Sequence, residues 1–112
     1  LVLMASGMNG QRFCFRGYLS PKRNELAKEL KQLEQESRRH QQTQIFIETP
    51  YRNQQMLETA LKTLDSKTQF CVGADLTNPT EWIRSASIHD WSKEALPDLH
   101  KRPAIFCLQA KK

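Results

Sequence analysis

The sequence predicts an α/β domain of α+β-like character, a mixed β-sheet of about five strands flanked by helices. Three observations predict it. Apolar runs rich in β-branched and aromatic residues alternate with stretches of helical period, several links between them are of hairpin length, and the segment Ile45-Phe46-Ile47-Glu48-Thr49-Pro50-Tyr51-Arg52 joins the two kinds of element directly. There an apolar strand stops at an acidic and a hydroxyl residue, and the spacing predicts a helix that starts at Pro50 with Thr49 as its N-cap. Where a strand's carboxyl end meets a helix's amino end, backbone donors and a few polar side chains converge, and small ligands lodge there in open α/β sheets.

Each element follows in order. The leading residues Leu1-Val2-Leu3-Met4-Ala5 are apolar from the outset, which predicts a chain that begins inside a helix and reads as the trimmed end of something larger. They lack the charged flank of a secretory signal and the roughly 20 apolar residues of a membrane span. Residues 12–19 alternate aromatic and other types and predict a strand closed by Ser20-Pro21. Leu26, Ala27, Leu30 and Leu33 then recur at helical spacing with charges on the other face, while the polar run 35–42 predicts a frayed helix end and a mobile connection.

After the landmark, Met56, Leu57, Ala60, Leu61 and Leu64 continue an amphipathic helix. Asp65-Ser66-Lys67 reads as a turn and 68–74 as a strand whose closing Gly73-Ala74 lets a backbone or ligand approach closely. Asn78-Pro79 marks a loop, 81–87 a short strand, and Ser87 the cap of a short helix through Ile88, Trp91 and Leu96 that Pro97 ends. Residues 102–108 close the chain as a buried strand.

The 112 residues suit one domain with a modest core, and no internal repeat divides them. A net charge of +5 favours an anionic partner but falls short of a dedicated nucleic-acid arm. Cys14, Cys71 and Cys107 are odd in number, far apart and set in apolar runs, so they read as buried thiols in a reducing cytoplasm. His40, His89 and His100 stand in polar stretches without partners at ligand spacing, so no metal site is expected.

Glu48 and Asp75 each stand at the end of a predicted strand, where each can orient an acceptor hydroxyl or balance a cation, or equally cap nearby N–H groups. Lys22, Arg23 and Arg52 can reach phosphates of a structured RNA, or simply coat a solvated face. Trp82 and Trp91 fit core or dimer packing better than base stacking, because their spacing follows the predicted elements. No catalytic residue emerges from spacing alone.

The ordered segments Met4-Ala5-Ser6-Gly7, Arg12-Phe13-Cys14-Phe15-Arg16-Gly17-Tyr18-Leu19-Ser20-Pro21-Lys22, Ile45 to Arg52 and Ala74-Asp75-Leu76-Thr77 together resemble the carboxyl-terminal half of the tetrapyrrole methylase superfamily. Within it the likeness is to the branch that methylates a ribose 2'-hydroxyl of small-subunit ribosomal RNA. The resemblance implies a homodimeric enzyme of two α/β domains with S-adenosylmethionine in the cleft between them, the amino-terminal domain being absent from this chain and residues 1–112 forming the carboxyl-terminal one. It implies a cofactor wall made by Ile47, Glu48 and Thr49, by Ala74 and Asp75, and, on the adenine side, by Pro103 and Ala104, with Met4 and Ala5 in a helix after a lost Pro-Gly turn. A fragment alone is expected to be inactive.

Departures from the pattern concern charge. Relatives often carry Tyr-Glu-Ser-Pro-His-Arg at the landmark and Arg-Glu-Leu-Thr-Lys after the next strand, whereas here stand Ile47-Glu48-Thr49-Pro50-Tyr51-Arg52 and Ala74-Asp75-Leu76-Thr77-Asn78. The alternatives are a superfamily methyltransferase acting on a tetrapyrrole or other small molecule, and a non-catalytic α/β binding or dimerisation module that resembles the enzyme half by convergence.

Overall fold

A computed structural model describes residues 12–111, so the expectations for Leu1 to Ala5 lie outside the described residues. Strand β1 (Phe13–Tyr18) leads to helix α1 (Arg23–His40), β2 (Thr43–Ile47) and α2 (Asn53–Thr63). Then come β3 (Gln69–Ala74), β4 (Trp82–Ser87), the single-turn α3 (Ile88–Trp91) and β5 (Ala104–Gln109). The strands form one mixed five-stranded sheet in the order β1-β2-β5-β3-β4. Only β1 and β2 run parallel, as the intervening α1 crossover requires, and the other pairs are antiparallel.

Side-chain alternation along the strands separates two faces. Phe46, Phe106, Phe70 and Val72 point to one face and meet Leu26, Leu30 and Leu33 of α1 and Met56, Leu57 and Ala60 of α2. Phe46 stacks on Phe106 with centroids 5.6 Å apart, and Trp91 meets Phe70 edge-on at 5.9 Å while its indole N–H donates to the Phe70 carbonyl at 2.9 Å. Trp91 is thus core, and Trp82 packs against it at 6.2 Å. The opposite face carries Ile45, Cys107, Cys71, Ile83 and Ile105, a cluster to which no helix residue contributes among the described residues. Phe13 and Phe15 stay more than half exposed on β1.

Several boundaries differ from expectation, each for a non-local reason. The polar run does not fray: α1 continues to His40 because Glu34 and Ser37 are buried and bonded. The Glu34 carboxylate accepts from the Thr68 hydroxyl at 2.6 Å and the Asp65 N–H at 2.8 Å, and the Ser37 hydroxyl accepts from the Ala110 N–H at 2.9 Å. Gln41, at φ 50°, ends the helix in the left-handed conformation.

Thr49 is not the cap of α2, which begins at Asn53 with Arg52 in the cap position and no side-chain bond there. Instead the Thr49 carbonyl accepts from the Arg52 N–H at 2.9 Å, and the Pro50 carbonyl accepts from the Lys101 N–H at 3.1 Å. These bonds hold the segment as a turn. Helix α3 ends at Trp91 rather than running to Leu96, although its predicted cap is present, with the Asp90 N–H donating to the Ser87 hydroxyl at 3.1 Å. Cys71 and Cys107 are buried as expected, whereas Cys14 is only half-buried.

Candidate functional site

The carboxyl ends of β1, β2 and β3 and the amino end of the antiparallel β5 come together at one edge of the sheet. They border an open hollow of about 370 Å³, lined chiefly by Tyr18, Ile47, Pro50, Leu76, Pro103 and Ile105, with Glu48 and Asp75 as its carboxylates. That volume lies in the range of small-molecule sites. The strand tips are therefore open.

Of the residues expected to meet a cofactor, Ile47, Glu48, Asp75, Pro103 and Ala104 all border this hollow. Ala74 does not: it is fully buried in the core beneath, paired in register with Ala104. Thr49 does not line it either, and its N–H is taken up by the Glu48 carboxylate. Both sit one residue from a lining carboxylate and shape the site through their backbone.

Glu48 is only 5% exposed. Its Oε1 accepts from the Thr49 N–H at 2.7 Å and from Arg52 Nε at 3.2 Å, while its Oε2 is buried without a hydrogen-bond partner among the described residues. A buried carboxylate oxygen in that state forfeits its hydration and gains nothing in return. It is a vacant acceptor in a residue that borders the hollow.

Asp75 is built differently. It lies in the left-handed region at φ 50°, a conformation an aspartate tolerates, and its N–H donates to the Pro103 carbonyl at 2.9 Å. Its Oδ2 accepts from Arg102 Nε at 2.7 Å and from the Thr80 hydroxyl at 3.0 Å, while Arg102 Nη2 reaches the Thr80 carbonyl at 2.8 Å. The Arg102 hydrogen bond holds the Asp75 carboxyl below its ordinary value of 3.8, with Thr80 adding to the effect. Asp75 is a fixed negative charge at the rim.

The candidate basic residues do not form one patch. Arg23 faces Glu58 of α2 at 3.8 Å in a groove between the helices, Lys22 is exposed at the start of α1, and Arg52 leans on Glu48. Among the described residues no cluster of three His, Cys, Asp or Glu side chains is arranged to hold a metal ion, and no helix is long and apolar enough to cross a membrane.

Comparison with known proteins places this geometry. The chain is 32% identical over 96 residues to ribosomal RNA small subunit methyltransferase I of Buchnera aphidicola subsp. Schizaphis graminum (strain Sg), a match covering 83% of this chain and 32% of that protein. It is 33% identical over 96 residues to the protein of the same name from Buchnera aphidicola subsp. Baizongia pistaciae (strain Bp), with the same coverage. The crystal structure of the methyltransferase CobJ shares the fold, with a TM-score of 0.59 and 19% identity over 97% of this chain and 46% of that one. In sequence the chain is thus similar to part of a ribosomal RNA methyltransferase, and in fold to CobJ. No family model matches it.

The chain spans about a third of the length of the curated relatives it matches. Its mixed sheet flanked by helices is the class the sequence predicts.

Arg102 and Thr80 escape sequence reasoning. Arg102 was legible only as a polar residue opening an apolar strand, since the aspartate it serves lies 27 residues away in the chain. Tyr18, 64% exposed at the end of β1, joins the hollow's border through the parallel pairing of β1 with β2.

Proposed function

We propose that this chain forms the carboxyl-terminal domain of an S-adenosylmethionine-dependent methyltransferase that modifies a ribose 2'-hydroxyl of small-subunit ribosomal RNA. It works in the cytoplasm as a homodimer, with an amino-terminal domain of the same polypeptide forming the opposite wall of the cofactor cleft. The observation that carries the reading is the convergence of Ile47 and Glu48, Asp75, and Pro103 and Ala104, from three separate segments, on one open hollow.

The residues present fit such a cofactor. Apolar side chains suit the flat base, an unpartnered buried acceptor awaits a donor, and a carboxylate held ionised favours a cation nearby. When bound, S-adenosylmethionine supplies an electrophilic methyl group on a positively charged sulfur. This chain's own contribution is to bind, orient and exclude water, because alignment of two reactants supplies much of the acceleration in such a transfer. Ile47, Pro103 and Ala104 form the apolar wall, Thr49 and Ala74 set its backbone, and Lys22, Arg23 and Arg52 attract phosphate from the flanks.

Calorimetry of the full-length polypeptide tests the reading. It is expected to bind S-adenosylhomocysteine, and a bulky residue at Ala104 is expected to abolish that heat. A folded full-length protein that binds neither this product nor S-adenosylmethionine overturns the assignment. Mapping ribose methylation on the small-subunit RNA of a deletion strain decides the substrate, since an unaltered map removes ribosomal RNA from the proposal.

A further inference from the structure

We propose that Glu48 is a base-reading residue: its Oε2 accepts a hydrogen bond from the exocyclic amine of the nucleoside's purine. The inference rests on the cofactor reading above and deepens it, since that reading names no donor for Glu48.

The two oxygens of the Glu48 carboxylate are not equivalent. Oε1 is saturated by the Thr49 N–H and Arg52 Nε, which pins the side chain in place. Among the described residues Oε2 has no partner, yet it is buried, and Glu48 borders the hollow. A carboxylate oxygen can only accept, so what completes it must be an N–H or O–H donor.

The surroundings choose between donors. Ile47, Pro50, Leu76, Pro103, Ala104 and Ile105 border the same hollow and offer flat apolar contact, while the other polar side chains of its border stand on other segments, Tyr18 at the end of β1 and Asp75 and Asn78 after β3. A ribose, with several hydroxyls, is better served by Asp75 and Asn78 beyond β5 than by a single acceptor. A purine buries two apolar faces and presents its amine at the rim, so one buried acceptor matches it. The carboxylate also selects against a 6-oxo purine, whose carbonyl would set two acceptors against each other.

The test is a specificity exchange measured by calorimetry on the full-length polypeptide, with S-adenosylhomocysteine, its 6-oxo analogue S-inosylhomocysteine, and a 2'-deoxyribose analogue. The wild type is expected to bind the adenosyl compound roughly tenfold to a hundredfold tighter than the inosyl one, the span set by a buried charge-assisted hydrogen bond. Loss of the 2'-hydroxyl is expected to change little. Glu48→Gln keeps an acceptor for Thr49 and substitutes a donor at Oε2, so the preference is expected to vanish or invert.

The outcomes separate. A wild type that binds the adenosyl and inosyl compounds equally overturns this inference alone and leaves the cofactor reading standing, even if the variant fails to fold. A larger loss with the deoxy analogue than with the inosyl one also overturns it, by moving the contact to the ribose. A folded wild type that binds none of the three removes both proposals.

Discussion

Arg102 Nε donates to Asp75 Oδ2 across 2.7 Å, joining the start of β5 to the end of β3 where the two strands border the hollow. Arg102 also reaches the Thr80 carbonyl, so one side chain ties the loop after β3 at both of its ends. That loop holds Asp75 at φ 50° and Thr77 at φ 69°, the latter costly for a β-branched residue. The Arg102 bonds and the Thr77 N–H bond to Glu81 Oε1, at 2.8 Å, offset that strain.

Replacing Arg102 with alanine is therefore expected to loosen residues 75–81 while leaving the sheet intact. Hydrogen exchange is the direct measurement: faster exchange at the Thr77 and Asn78 amides with unchanged protection in β3 and β5 is expected. The same protein carries a pH signature. Because the Asp75 carboxyl is held below 3.8 in the folded state, its contribution is complete above that value and is lost as pH falls through the depressed one. The acid limb of an unfolding titration should flatten in Arg102→Ala.

Glu34 ties α1 to the turn before β3. Its side chain is 3% exposed, with the Thr68 hydroxyl and Asp65 N–H on one oxygen and Lys31 Nζ at 3.3 Å from the other. Glu34→Ala leaves two donors without their acceptor and is expected to cost about 2–4 kcal/mol in urea unfolding. Glu34→Gln keeps one acceptor oxygen and is expected to cost less. Equal stability of Glu34→Ala and wild type would remove this residue as the anchor of the polar half of α1.

Cys71 and Cys107 face each other in register on β3 and β5. Burial pushes the Cys71 thiol up to about 11 and the Cys107 thiol up to about 12, the latter helped by repulsion from Cys71. Above 9.0, their ordinary value, the unfolded chain releases thiol protons that the folded chain retains, so stability falls as pH rises until the folded values are reached. Each thiol contributes up to about 1.4 kcal/mol per pH unit in that window. Denaturant titrations between pH 9 and 11 should show a shallower decline in the Cys71→Ala, Cys107→Ala double variant. Alkylation under native conditions near neutral pH should mark half-buried Cys14 ahead of both.

The legible part of this protein is the part governed by local periodicity. Leu26, Leu30 and Leu33 announce one helix and Met56, Leu57 and Ala60 another, because a buried stripe at helical spacing is written in consecutive residues. The apolar runs at Phe46, Phe70 and Phe106 announce three strands for the same reason, and strand ends carrying Glu48 and Asp75 mark where a ligand would meet the sheet. Family likeness added Pro103 and Ala104, which no periodicity singles out.

Tertiary structure decided what depends on partners distant in the chain. It carried α1 through a polar run by way of Thr68, Asp65 and Ala110, and it held Thr49 and Pro50 in a turn by a bond from Lys101. It also inserted the last strand between β2 and β3, which alone brings Pro103 beside Glu48 and Arg102 onto Asp75. The division has one physical cause. Apolar burial is encoded in the spacing of neighbours along an element, whereas each buried polar group is satisfied by whichever donor the completed fold delivers, and that donor has no fixed offset in sequence.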